Sequence, residues 1–141
     1  MYVLSEYEKE KVKELITLGI KNGYGADVST GKGIIDIESI EDFSLSSSGN
    51  RVMALANFVP KEGEIKELRG DLITKYGKLG GDFVFKMNPF KKPIAMYKEG
   101  STFELNGENR GYVGCLLSNV HSDSRIKHYA FAPIIHFTEE E

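Results

Sequence analysis

The sequence predicts an α+β protein, and three observations carry that prediction. An amphipathic helical stretch opens the chain. A glycine-rich loop then runs into a β-rich segment, and a series of short strand-like runs follows a serine-rich break.

The helix comes first. Ser5 and Glu8 have the spacing of a capping box, in which each side chain accepts from the other's backbone N–H. Val12, Leu15, Ile16 and Gly19 fall on one face, with Glu6, Lys9, Lys13 and Glu14 turned mostly away. Gly19 is the expected left-handed stop. The glycine-rich loop from Gly19 to Gly33 leads into Ile34-Ile35-Asp36-Ile37-Glu38, read as a strand. Ser44–Gly49 reads as a linker, so a boundary is expected there, between residues 1–43 and an α+β domain of residues 44–141.

Within the second part, Val52–Val59 is an apolar run closed by Pro60 and suits a buried strand. Asp71–Tyr76, Phe83–Met87, Pro93–Tyr97, Thr102–Leu105, Tyr112–Leu117 and His128–Phe137 are further strands, with a tight turn at Asn106-Gly107. Glu64–Arg69 reads as a short helical turn. No repeat or low-complexity tract is present.

Bulk properties exclude several classes. At 141 residues, with 40% hydrophobic and 28% charged residues, the composition is globular. No apolar run approaches the roughly 20 residues that span a bilayer, and Met1–Glu6 has no basic start or apolar core of a secretory signal. The single cysteine, Cys115, rules out an internal disulfide and a Cys-x-x-Cys metal pair. A cytoplasmic protein without membrane contact, cofactor or metal is expected.

The net charge of -3 argues against grip on nucleic acid through bulk charge, but the charges are unevenly placed. Nine Lys/Arg lie between Lys61 and Lys98 (Lys61, Lys66, Arg69, Lys75, Lys78, Lys86, Lys91, Lys92, Lys98) against five Asp/Glu. Acids gather at Asp36–Asp42 and Glu139–Glu141. Such asymmetry fits an anion-facing surface, and it equally fits solvated lysines.

Gly31-Lys32 invites comparison with a nucleotide-binding P-loop, which the spacing excludes. Five residues separate Gly25 from Gly31 where four are required, and Gly33 stands where the magnesium-binding hydroxyl would be. A P-loop also enters a helix, whereas this loop enters a predicted strand. A loop without Cβ atoms can still turn successive N–H groups toward a phosphodiester, with Ser29 and Thr30 adding hydroxyls and Lys32 charge. A connector that needs positive φ angles accounts for it equally well.

The loop Gly23-Tyr24-Gly25-Ala26-Asp27-Val28-Ser29-Thr30-Gly31-Lys32-Gly33 resembles the glycine-rich loop of the RAMP superfamily of CRISPR proteins. Further segments, in order, resemble the C-terminal region of the fourth subunit of the Csm complex, the type III-A CRISPR effector. They are Ala56–Pro60, Thr74–Gly81, Pro89–Ile94, Gly100–Phe103 and Gly111–Gly114.

The resemblance implies a ferredoxin-like (RRM-like) C-terminal unit, with residues 1–43 as the helix, loop and strand that end a preceding RAMP domain. It implies a non-catalytic scaffold that contacts the 5′ handle of the guide RNA (crRNA) and bridges the large polymerase-like subunit to the backbone RAMP subunits. Carried over, Gly23, Tyr24, Gly25, Ser29, Thr30, Gly31, Lys32 and Gly33 are the expected RNA contacts. Only about twenty residues precede the loop here, where relatives carry a complete N-terminal domain. A fragment or split gene product is therefore expected, with the Ile34–Ile40 strand pairing on another chain or on the C-terminal unit.

An endoribonuclease and a pure protein-interaction module stay open as alternatives. The first needs an exposed histidine beside a tyrosine or lysine near the glycine loop. His121 sits in a polar loop and reads as exposed, while His128 and His136 bracket one strand face at eight-residue separation. Cys115 reads as a buried inert thiol, and Tyr76, Tyr112 and Tyr129 as packed residues before RNA-stacking ones.

Overall fold

The computed structural model describes residues 3–21, 23–24, 33–44, 46–79, 88–107 and 110–140. The chain divides into two compact units, Met1–Ser44 and Leu45–Glu141.

The first unit contains one helix, α1 (Lys9–Ile20). It starts three residues later than the Ser5 signal suggests, and no side chain caps it. The Ser5 hydroxyl instead accepts from the nearby Tyr7 N–H at 3.0 Å, a local turn that competes with the cap. Gly19 stays inside the helix, and the left-handed stop falls at Gly23, with φ +92°. Val12, Ile16 and Ile20 form a half-buried stripe, but no α1 residue is fully buried. Lys9 pairs with Asp42 at 2.5 Å, joining the start of α1 to the end of the unit.

The expected Ile34–Ile40 strand is not formed. Residues 33–44 contain no strand, and Ile34 is 82% exposed. A β-rich composition needs a ladder partner to become a strand, and none lies along this segment among the described residues.

The second unit is almost entirely β. Its strands are β1 (Arg51–Ala54), β2 (Ile65–Arg69), β3 (Leu72–Lys75), β4 (Ile94–Tyr97), β5 (Thr102–Leu105), β6 (Tyr112–Leu117) and β7 (His128–Phe137). Five form an antiparallel sheet in the order β2-β5-β1-β7-β6, and β3 with β4 forms a separate hairpin. The expected ferredoxin-like, α+β unit is therefore corrected to a mostly-β one. A βαββαβ chain needs helical crossovers, and the connections Lys98–Ser101 and Asn106–Gly111 are too short and too rich in turn residues to hold them. The expected strand Phe83–Met87 lies outside the described residues.

Glu64–Arg69 shows why a helical reading failed. Ile65 and Leu68 have helical i, i+3 spacing, yet both pack on the sheet's core as strand residues. A β-bulge reconciles the two. Lys66 faces Glu104 and Arg69 faces Thr102, so Glu67 and Leu68 together oppose Phe103. Glu67 takes up the extra residue at φ +47°, and Leu68 returns to the face that Ile65 occupies.

Two apolar clusters hold the unit. Val52, Ala54, Phe58, Phe103, Val113, Ala132 and Ile134 line the inner face of the five-stranded sheet. Ile94, Met96, Val120 and Ala130 form the second, with Ile73, Leu117 and Ile126 against it. Phe58 links the sheet to the hairpin. Its N–H and carbonyl bond those of Tyr97 at 3.0 and 2.9 Å, and its ring lies 5.7 Å from Tyr97 and 5.2 Å from Phe103.

The sheet curls into a half-barrel, and one side chain links its two edges. Glu64, just before β2, spans the seam: its Oε2 accepts from Gly114 N on β6 at 3.0 Å and from Lys61 N at 2.9 Å. Gly114 has φ +113°, and a Cβ there would overlap the Ala130 carbonyl oxygen. Only glycine fits.

Arg51 on β1 is 3% exposed, so its charge needs close compensation. Its Nη2 donates to the Glu67 carbonyl at 2.8 Å, the oxygen that the bulge turns inward. Carboxylates of Glu139, Glu67 and Glu104 lie 3.2, 3.5 and 3.8 Å from its nitrogens. Arg69 meets Glu139 at 2.6 Å and Lys66 meets Glu104 at 2.9 Å. The acidic tail residue Glu139 is thus part of a charge network.

Candidate nucleic-acid interface

The glycine loop is described at its neck. Gly23 N donates to the Ile20 carbonyl at 2.8 Å as the chain leaves α1. Tyr24 N then donates to the Gly33 carbonyl at 2.8 Å. Gly33 has φ +82°, and a Cβ there would overlap the Tyr24 carbonyl oxygen. Tyr24 is 71% exposed at this neck. The structure therefore brings together Gly23, Tyr24 and Gly33. Gly25, Ser29, Thr30, Gly31 and Lys32 lie outside the described residues.

The second unit holds a concentration of cations on the β3–β4 hairpin. Beyond the strands the two segments stay paired: Lys91 N bonds the Gly77 carbonyl at 2.8 Å, Leu79 N the Pro89 carbonyl at 2.7 Å, and Lys78 bridges Phe90. Lys75, Lys78, Lys91 and Lys92 therefore come from two strands of one ribbon. Lys127 joins them, because Lys91 Nζ donates to its carbonyl at 2.9 Å. Lys78 Nζ lies 5.8 Å from the centre of the Phe90 ring.

None of the histidines meets the requirement for an exposed catalytic one. His121 is buried, contrary to the exposure its polar loop suggested. Its Nδ1 accepts from Asp123 N at 3.0 Å, which leaves Nε2 to donate to the Asn88 carbonyl at 2.7 Å. The ring thus fastens the loop before β7 to the hairpin. Its neighbour Asp123 is held at a pKa of about 2, chiefly by hydrogen bonds from the Arg125 side chain and backbone. His136 is buried under the sheet, and His128 is half-buried. Burial, then Lys91 and Lys75, push the His128 imidazole below its usual value.

Cys115 donates to the Val59 carbonyl at 3.3 Å, and burial pushes its thiol up, away from nucleophilic chemistry. The tyrosines depart from the packed reading: Tyr76 is 75% and Tyr129 73% exposed. Tyr129, Phe131 and Tyr112 form a row of rings with centroids 4.7 and 5.8 Å apart. A cavity of about 180 Å³ opens at the sheet seam beside Glu64, Arg110 and Tyr112. Among the described residues no three His, Cys, Asp or Glu side chains converge as metal ligands, and no helix is long and apolar enough to cross a membrane.

No family model matches the chain, and no curated protein matches it either.

One signal for these features was available in the sequence. The excess of lysine after Lys61 marked the hairpin, although two of those cations serve elsewhere: Lys66 and Arg69 belong to the Arg51 network. The burial of His121 had no local signal, since its partners Asn88 and Asp123 flank it only once the hairpin has folded back.

Proposed function

We propose that this chain is a non-catalytic scaffold piece of a type III-A CRISPR effector, contacting the 5′ handle of the guide RNA and bridging neighbouring subunits. The observation that carries the reading is the clasped neck of the glycine loop. A backbone bond from Tyr24 N to the Gly33 carbonyl, with Gly23 and Gly33 in the left-handed region, joins the two ends of the sequence segment that holds Ser29, Thr30 and Lys32. Hydroxyl, amide and ammonium donors suit a phosphodiester, which such donors position without reading its sequence.

The ordered segments that resemble the Csm subunit support the same reading, and they stand without the ferredoxin-like fold. The large polymerase-like subunit and the backbone RAMP subunits are its proposed protein partners, in the cytoplasm. The exposed Leu15, Leu18, Ile34 and Phe43 of the first unit are apolar surface that suits protein contacts.

The test is binding of the chain to a labelled repeat-derived RNA across a salt series, with Lys32→Ala in parallel and cleavage scored on the same gel. Salt-sensitive binding that the substitution weakens, with RNA left intact, supports the reading. Cleaved RNA refutes the non-catalytic role. Binding unaffected by Lys32→Ala refutes the loop's role.

A further inference from the structure

The β3–β4 hairpin carries more positive charge than the fold uses. Lys75, Lys78 and Lys92 are exposed, and among the described residues none of the three ammonium groups has a carboxylate partner. Contrast Lys66, Arg69 and Arg125, each paired within 2.9 Å. Lys91 and Lys127 add charge beside them while their side chains hold the ribbon, Lys91 on the Lys127 carbonyl and Lys127 on Ser118 Oγ at 3.1 Å. Asp123, the carboxylate two residues from His121, is occupied by Arg125 at 2.5 Å and does not neutralise the group. The depressed His128 imidazole reports the same field, since Lys91 and Lys75 are among its causes.

Aromatic rings stand among these cations. Phe90 is 60% and Tyr76 75% exposed, so both rings are accessible to a ligand. Phe90 lies next to Lys91 in sequence, across the ribbon from Lys78. Pro89 and Pro93 flank the Phe90–Lys92 segment and stiffen it. Ammonium groups beside exposed rings on a stiff ribbon, with Lys78 Nζ 5.8 Å from the centre of the Phe90 ring, match a polyanion with unpaired bases. Phosphates answer the lysines and base faces answer the rings. A duplex presents no free base face, and an acidic peptide leaves the rings unused.

We propose that this hairpin is a second, independent contact surface for single-stranded polynucleotide, with Lys75, Lys78 and Lys92 meeting backbone phosphates and Phe90 and Tyr76 stacking on bases. It adds to the glycine loop and stands on geometry in the other unit. Within the proposed scaffold the strand is RNA; DNA offers the same phosphates and base faces.

The experiment measures anisotropy of labelled 12-nucleotide probes with the full chain, from low to moderate salt. The probes are single-stranded RNA, DNA of the same sequence and duplex RNA, with polyglutamate as competitor. Removing three phosphate contacts in Lys75→Ala/Lys78→Ala/Lys92→Ala lowers the slope of log affinity against log salt by about 2, at roughly 0.7 per phosphate for single strands. Phe90→Ala weakens single-strand binding about tenfold with the slope kept, because stacking carries no counterion. Lys98→Ala, at the far end of the same ladder, changes neither.

An unchanged slope in the triple variant, with its urea midpoint intact, overturns the inference. So does duplex binding as tight as single-strand binding, or competition by polyglutamate at equal charge. Lys32→Ala separates the two readings. Loss there with the triple variant unaffected sinks this inference and keeps the loop. The reverse keeps the hairpin and sinks the loop's role.

Discussion

Glu64 closes the curled sheet, and replacing it measures what that closure contributes. Its side chain is 8% exposed, with one carboxylate oxygen accepting from both Gly114 N and Lys61 N. Oε1 is buried without a hydrogen bond, and the nearest Arg110 nitrogen stands 3.9 Å away. In Glu64→Ala the Lys61 N–H, on an exposed turn, recovers water, so its loss is small. The Gly114 N–H is buried on β6 and recovers nothing. Losing a charged acceptor there costs about 1.5–3 kcal/mol, and the truncated side chain adds up to ~1. The expected destabilisation is therefore about 2–4 kcal/mol. Glu64→Gln keeps an acceptor oxygen and gives up only the charge, for about 1 kcal/mol. Urea unfolding followed by far-UV circular dichroism reads both, with Glu62→Ala on the same exposed turn as control, expected within about 0.5 kcal/mol. If Glu64→Ala matches Glu62→Ala, the seam is not held by this carboxylate and the reasoning fails.

Three further outcomes are expected, one at the same seam and two at His128. Gly114→Ala places a Cβ on the Ala130 carbonyl at a φ of +113°, and is expected to cost more than about 3 kcal/mol in the same urea assay; near-normal stability would contradict the required left-handed backbone. His128 titrates below 6.5 in the folded chain, so the unfolded state binds the proton first. Stability is then expected to fall as pH drops through the unfolded value of about 6.5, levelling off below the folded pKa. Lys75→Met should move the His128 titration upward in an NMR pH series, and an unmoved curve would place Lys75 out of its field.

Strand positions were legible wherever alternation matched a buried face. From Ala130 to Phe137 buried and half-buried residues alternate strictly, and the predicted and observed limits of the strand His128–Phe137 coincide. Pro93–Tyr97 was legible for the same reason. Most of the failures share a cause, a deciding partner remote in sequence. The bulge at Glu67 disguised β2 as a helical turn, and the Glu67 carbonyl there bonds the distant Arg51. The Ser5 hydroxyl had a nearer N–H than the helix could offer. For the candidate site, the loop's glycines announced its neck, where Gly23 and Gly33 take the left-handed backbone. Nothing local announced that Lys127 would join the hairpin cations, since a carbonyl bond to Lys91 brings it there.

The join between Phe58 and Tyr97 gives the hairpin a mechanical character. Tyr97 ends β4, yet its backbone is bonded to Phe58 and its ring packs in the core of the larger sheet. A pull on the outer ribbon therefore reaches the rings of Phe58 and Phe103 through this pair, and the rest of the unit through His121 on Asn88 and Lys91 on the Lys127 carbonyl. The hairpin is tied to the core at several points along its length, so a load on it is shared across the whole β unit.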